Sequence, residues 1–164
     1  MESVNIVKKS TLILLATALF AFPGCSKNKR GDDGSVPTSG DRITIGDSDS
    51  DQAGGLQTIQ FPFDSYLIDS ENKRVINQNI NVLKDKKSVN VQIEGHCDQR
   101  GGIQYNLALG EKRANAVRRY LIEKGVSSDR VSTISFGKER LLDPGTTEAA
   151  YSKNRRANFV ITSQ

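Results

Sequence analysis

The sequence is short of the residue types that most catalytic and metal chemistry needs. Of its 164 residues, one is histidine and two are cysteine. Zinc takes three or four N, S or O ligands. The single histidine, His96, stands beside Cys97, and neighbours on a strand point to opposite faces. The pair is therefore a poor metal site, and neither a metal nor another cofactor is expected. It is equally poor for nucleophilic catalysis. A nucleophile and its base must face each other across space, and the chain has no second histidine. The expectation is a protein that is not an enzyme.

Charge of one sign is not concentrated either. The formal net charge is +4 with 26% charged residues, and lysine and arginine form no long tract, so nucleic acid is not an expected partner. Long apolar runs are nearly absent. The exception is Thr11 to Phe22, "TLILLATALFAF". It is shorter than the roughly 20 residues that cross a bilayer. Behind the basic Lys8 and Lys9 it fits the apolar core of a secretory signal, with a buried core helix as the alternative. Nothing downstream has a comparable run, so no membrane-spanning segment is expected after the signal. There are no internal repeats.

The apolar run ends in "FPGC", Phe22 to Cys25. This resembles a bacterial lipoprotein signal, in which small residues precede the cysteine that receives lipid. Gly24 and Cys25 match, whereas Phe22 and Pro23 stand where leucine and a small residue are usual. The resemblance implies cleavage before Cys25 and acylation of that cysteine, with Ser26 pointing to the outer membrane. An ordinary secreted protein with a stray cysteine is the other reading. If Cys25 carries lipid it cannot enter a disulfide, and Cys97 is left as a lone, buried thiol that packs like a small hydrophobe.

Ser26 to Leu56 is rich in Gly, Ser and Asp and poor in large apolar residues. Such a stretch buries too little surface to offset its ordering entropy and reads as a disordered linker. As a flexible coil it spans roughly 30 Å and when taut roughly 100 Å. The expected organisation is a signal peptide over 1–24, a lipidated N-terminus and linker over 25–57, and a globular domain over 58–164.

In the globular part, "TIQFPF" alternates like a strand, with Pro62 tolerable only at its end. Ile76, Ile80 and Leu83 recur at helical spacing in "DSENKRVINQNINVLKDK", and Asp69 or Ser70 can cap that helix. Val89, Val91 and Ile93 mark one face of a half-buried strand. A long helix is predicted over Ile103 to Lys124, with Gly110, Ala114, Val117 and Leu121 on one stripe and Gly125 as its stop. "RVSTISFG" is a third strand, a loop with the Pro144-Gly145 turn follows, then a short helix over Glu148 to Lys153 and a last strand, "ANFVITS". The order β-α-β-α-β-α-β implies an α/β (α+β) sandwich: a small mixed sheet covered by helices on one face.

Ligands in such sheets gather at the carboxyl ends of strands. Asp98 sits there, in "GHCDQRGGIQYN". Arg113 lies on the first half of the following helix and borders its buried stripe. Together an Asp and an Arg can hold a zwitterion, the carboxylate on an ammonium and the guanidinium on a carboxylate. A surface Asp–Arg salt bridge of little energetic consequence weighs equally.

Four stretches bear on that choice: "FPFD", "VQIEGHCDQRGGIQYNLALGEKRANAVRRYLIEKGV", "RVSTISFGKER" and "EAAYSKNRRANFVI". Residues 58–164 resemble the OmpA-like peptidoglycan-binding domain in its lipoprotein form. The resemblance implies non-covalent binding of the peptidoglycan stem peptide at meso-diaminopimelate, whose side chain ends in an ammonium and a carboxylate. It implies that Asp98 and Arg113 are the principal pair. Phe63 and Asp64 close one side, Arg100 contacts the ligand, and Asn106 and Leu109 shape the pocket. Arg155 and Arg156 either contact the ligand or brace the fold through carboxylates such as Asp98. His96 supports the loop. The implied role is a tether between outer membrane and cell wall. TolB and TolA are the implied protein partners, and a related lipoprotein without a Tol partnership is the alternative. A flagellar stator fits poorly without a membrane span, and a cell-wall enzyme lacks a second catalytic group.

Overall fold

The computed structural model describes residues 45–164. The signal peptide, Cys25 and most of the predicted linker lie outside the described residues. Four strands and three helices alternate: β1 Ile59–Gln60, α1 Ser70–Asp85, β2 Asn90–His96, α2 Ile103–Glu123, β3 Val131–Gly137, α3 Glu148–Asn154 and β4 Arg156–Ser163. The sheet order is β1-β4-β2-β3. β2 runs parallel to β3 and antiparallel to β4, which in turn is antiparallel to β1. The β2–β3 connection needs the α2 crossover because parallel neighbours cannot be joined by a tight turn.

Local chemistry accounts for the element ends. Asp69 caps α1, its side chain accepting from the Asn72 N–H at 2.8 Å and so satisfying one orphan donor of the first turn. Pro62 lies just past β1, where its missing N–H costs no ladder bond. Gly125 follows α2 with φ +94°. Its N–H donates to the Ile122 carbonyl and that of Val126 to the Leu121 carbonyl, the paired closure that a left-handed glycine permits.

Ile76, Ile80 and Leu83 of α1, Ala114, Val117 and Leu121 of α2, and Val91, Ile93, Phe159 and Ile161 of the sheet form one core. The β2–α2 contact is unusually close. A Cβ on Gly95 would sit 1.9 Å from the Gly110 carbonyl oxygen, so two glycines let helix backbone rest on strand backbone. That approach sets α2 against the end of β2, where the candidate site lies.

The linker expectation over Ser26 to Leu56 needs correction at its C-terminal end. Residues 46–56 pack against the sheet as a strap. Asp47 bridges Val160, and the Gly46 carbonyl accepts from the Ile161 N–H at 2.9 Å. The Ser48 hydroxyl donates to Asn158 Oδ1 at 2.8 Å, and Asp49 pairs with Arg156 Nε at 2.7 Å. Ala53 and Leu56 enter the core. Short polar residues that read as solvated are buried here because their partners lie on β4, about a hundred residues downstream.

Candidate functional site

A cleft of about 210 Å³ opens where β2 ends and α2 begins. Phe63, Asp64, Asp98, Arg100, Asn106, Leu109, Arg113 and Arg155 all line it. Eight of the nine residues singled out from the sequence therefore meet in one place, drawn from three separate stretches of chain. Arg156 is the exception and is corrected: it turns away from the cleft and pairs with Asp49 of the strap. Successive residues on an extended backbone face opposite ways, so Arg155 and Arg156 part company at the start of β4.

Arg113 is 0% exposed. Its Nε donates to the Ser65 carbonyl at 2.8 Å, Nη1 to the His96 carbonyl at 2.7 Å and to Cys97 Sγ at 3.5 Å, and Nη2 to the Pro62 carbonyl at 3.1 Å. Four of a guanidinium's five N–H groups are thus spent on the protein. Burial pushes its pKa down, though a guanidinium keeps its charge. Arg113 joins the β1–α1 loop, the end of β2 and α2. It is a structural brace as well as a wall of the cleft.

Asp98 is 4% exposed. Its Oδ1 accepts from the Arg100 N–H and Nε, each at 3.1 Å, and its Oδ2 accepts from Arg100 Nη2 at 2.6 Å and Arg155 Nη1 at 3.3 Å. Burial pushes the carboxyl up, but these bonds outweigh it and hold the group below its ordinary 3.8. Of the two roles left open for Arg155, the brace through Asp98 is present, and its Nε also holds the Phe61 carbonyl at 3.1 Å. Asp98 and Arg113 share the cleft, yet each is bonded to other groups.

The remaining residues shape the walls. Asn106 Nδ2 donates to the Arg100 and Gly102 carbonyls at 2.7 and 3.1 Å, fixing the loop before α2. Asp64 adopts φ +52° and accepts a hydrogen bond from the Tyr105 hydroxyl. That bond to Asp64 is the first cause that raises the Tyr105 pKa. Cys97 is a free, buried thiol that donates to the Asn106 carbonyl at 3.3 Å, and burial pushes its pKa up. Cys97 nonetheless lines the cleft, beyond the packing role expected of it. His96 faces the other way, stacked on Phe136 with centroids 5.6 Å apart and Nε2 3.3 Å from Glu94. Its side chain does not support the loop as expected; only its carbonyl does, through Arg113.

Tyr105 and Tyr151 escaped the sequence reading. Tyr105 sits in the quoted "IQYN", but nothing local couples it to Asp64, 41 residues away. Tyr151 lies on α3 with its ring centroid 4.2 Å from the Arg100 guanidinium carbon.

With this geometry in view, residues 60–155 match the model of the OmpA family. The chain belongs to the OmpA family. It is 38% identical over 152 residues to the peptidoglycan-associated lipoprotein of Pasteurella multocida, covering 92% of this chain and 97% of that one. It is 36% identical to the protein of that name from Pseudomonas aeruginosa, covering 94% and 98%. The crystal structure of the Burkholderia pseudomallei peptidoglycan-associated lipoprotein superposes with a TM-score of 0.62 at 39% identity, over 64% of this chain and 89% of that one. The C-terminal domain of Helicobacter pylori MotB reaches the same TM-score at 21% identity, over 67% and 87%, and shows the shared fold alone. The mixed sheet with crossover helices is thus the OmpA-like fold.

Proposed function

We propose that this OmpA-family domain binds the peptidoglycan stem peptide in the cleft at the end of β2, with diaminopimelate as the group recognised. The observation that carries the reading is the convergence of Asp98 and Arg113, with Phe63, Asp64, Arg100 and Asn106, on one cleft of side-chain size. Several relatives are named for association with peptidoglycan. The terminal ammonium of diaminopimelate would meet Asp98, and its carboxylate the remaining N–H of Arg113 Nη2 together with Arg100 and Arg155. Three guanidinia against two carboxylates leave the cleft suited to a ligand with excess negative charge.

The titration of the cleft favours binding over catalysis. A general acid needs its pKa near the working pH, and Asp98 is held lower still than an ordinary carboxyl. A nucleophilic cysteine needs a depressed pKa, and that of Cys97 is raised.

In the same proposal the chain is a tether. Lipid on Cys25 holds it to the outer membrane, and the stretch between Cys25 and the strap gives it reach. Many anchored copies on one polymer gain avidity through high effective concentration. TolB and TolA are the protein partners in this reading. Co-sedimentation with purified sacculi tests the core of it. Wild type should pellet, and Asp98→Ala should stay mainly in the supernatant while keeping its circular dichroism. Equal pelleting of the two would remove Asp98 from the site. Pull-down of TolB separates a Tol partner from a related lipoprotein without one.

A further inference from the structure

The cleft is not open to a cation as it stands. A carboxylate has about four acceptor positions, and on Asp98 all four are taken. Arg100 supplies three of the donors and Arg155 the fourth. Arg155 is buried and tied to the Phe61 carbonyl. The Arg100 side chain is 37% exposed. Arg100 is therefore the donor that can leave.

What holds it there is specific. Its guanidinium carbon lies 4.2 Å from the ring centroids of both Phe63 and Tyr151. Its Nη1 is 3.7 Å from Glu148, which also receives Arg155 Nη2 at 2.7 Å. Arg100, Asp98, Arg155 and Glu148 thus close a ring of alternating charge. Glu148 and Tyr151 belong to α3 and stand outside the cleft lining.

We propose that Arg100 is a latch whose guanidinium occupies the seat on Asp98 that a ligand's ammonium takes, and that Tyr151 and Glu148 set how often the latch opens. The inference rests on the reading of the cleft as a stem-peptide site. A protein whose competent state is only partly populated shows an affinity reduced by that fraction. Loosening the latch therefore speeds association and leaves dissociation from the open, bound state unchanged. Tyr151 is a positioning residue, since it acts through Arg100.

The test is stopped-flow association of the full chain with a tripeptide ending in meso-diaminopimelate. A cation–π contact at an exposed site is worth a factor of roughly two to five. Tyr151→Leu should raise the association rate constant about threefold with an unaltered dissociation rate. Tyr151→Phe, which keeps the ring, should match wild type. Glu148→Gln should also associate faster, and it decides the matter alone if Tyr151→Leu does not fold. Association of Tyr151→Leu and Glu148→Gln at the wild-type rate or slower overturns the latch while leaving the site standing. Absence of any binding by wild type overturns the site reading and the latch with it.

Discussion

A guanidinium that meets the carbonyls of Ser65, His96 and Pro62 cannot be removed without leaving the buried His96 carbonyl short of a donor, whereas those of Ser65 and Pro62 lie nearer water. A buried group left unsatisfied costs about 1–3 kcal/mol. Arg113→Ala should therefore destabilise the domain by about 1–3 kcal/mol, visible as an earlier midpoint in urea. A variant as stable as wild type would show that the buried network does not matter. Asp98 has a different signature. Its carboxyl is held below 3.8, so the folded chain takes up that proton less readily than the unfolded chain. The stability it confers is fully present above the ordinary value and is lost as pH falls through the lowered one. Asp98→Asn should be less stable than wild type at pH 6, and the gap should narrow towards pH 3. A gap that stays constant across that range would show that Asp98 is not the titrating group.

At the level of elements, helices and strands were legible because their signals are local. Ile76, Ile80 and Leu83 repeat every helical turn, and Val89, Val91 and Ile93 alternate; all six are buried. Asp69 and Gly125 mark helix ends through bonds within a few residues. The strap was illegible for the opposite reason. Asp47, Ser48 and Asp49 carry no apolar pattern, and their partners Val160, Asn158 and Arg156 are known only once β4 is in place. For the same reason Arg156 stayed open between ligand contact and brace, since the direction of two adjacent arginines depends on where the strand begins, and its carboxylate is Asp49 of the strap. Asp49 and Arg156 form an ion pair whose side chains are both less than a tenth exposed. Breaking such a pair from one side costs about 3–5 kcal/mol. Asp49→Ala should lower the thermal midpoint by roughly 10 °C or more. A shift of only a degree or two would mean that the strap adds little to the fold.

For the molecule as a whole, the strap fixes the N-terminal end of the described residues to the sheet. In the proposed tether, force arriving at residue 46 would meet β4 by way of Asp47, Ser48 and Asp49. Arg156, the first residue of β4, holds the strap, and Arg155, the residue before it, holds Asp98, so the attachment point and the cleft are one residue apart. The cleft residues were legible through the resemblance of four separated stretches to one family, and the fold brings eight of them together. The occupied state of Asp98 was not legible, because Tyr151 and Glu148 reach Arg100 only through the tertiary fold.

The central claim is recognition of a side-chain zwitterion, and calorimetric titration addresses it directly. The chain is titrated with a stem tripeptide ending in meso-diaminopimelate and with the same tripeptide ending in lysine, which lacks the distal carboxylate. Loss of a charge-assisted hydrogen bond costs about 1.5–3 kcal/mol, so the lysine form should bind roughly ten- to a hundredfold more weakly. Equal affinity for the two tripeptides would contradict the account.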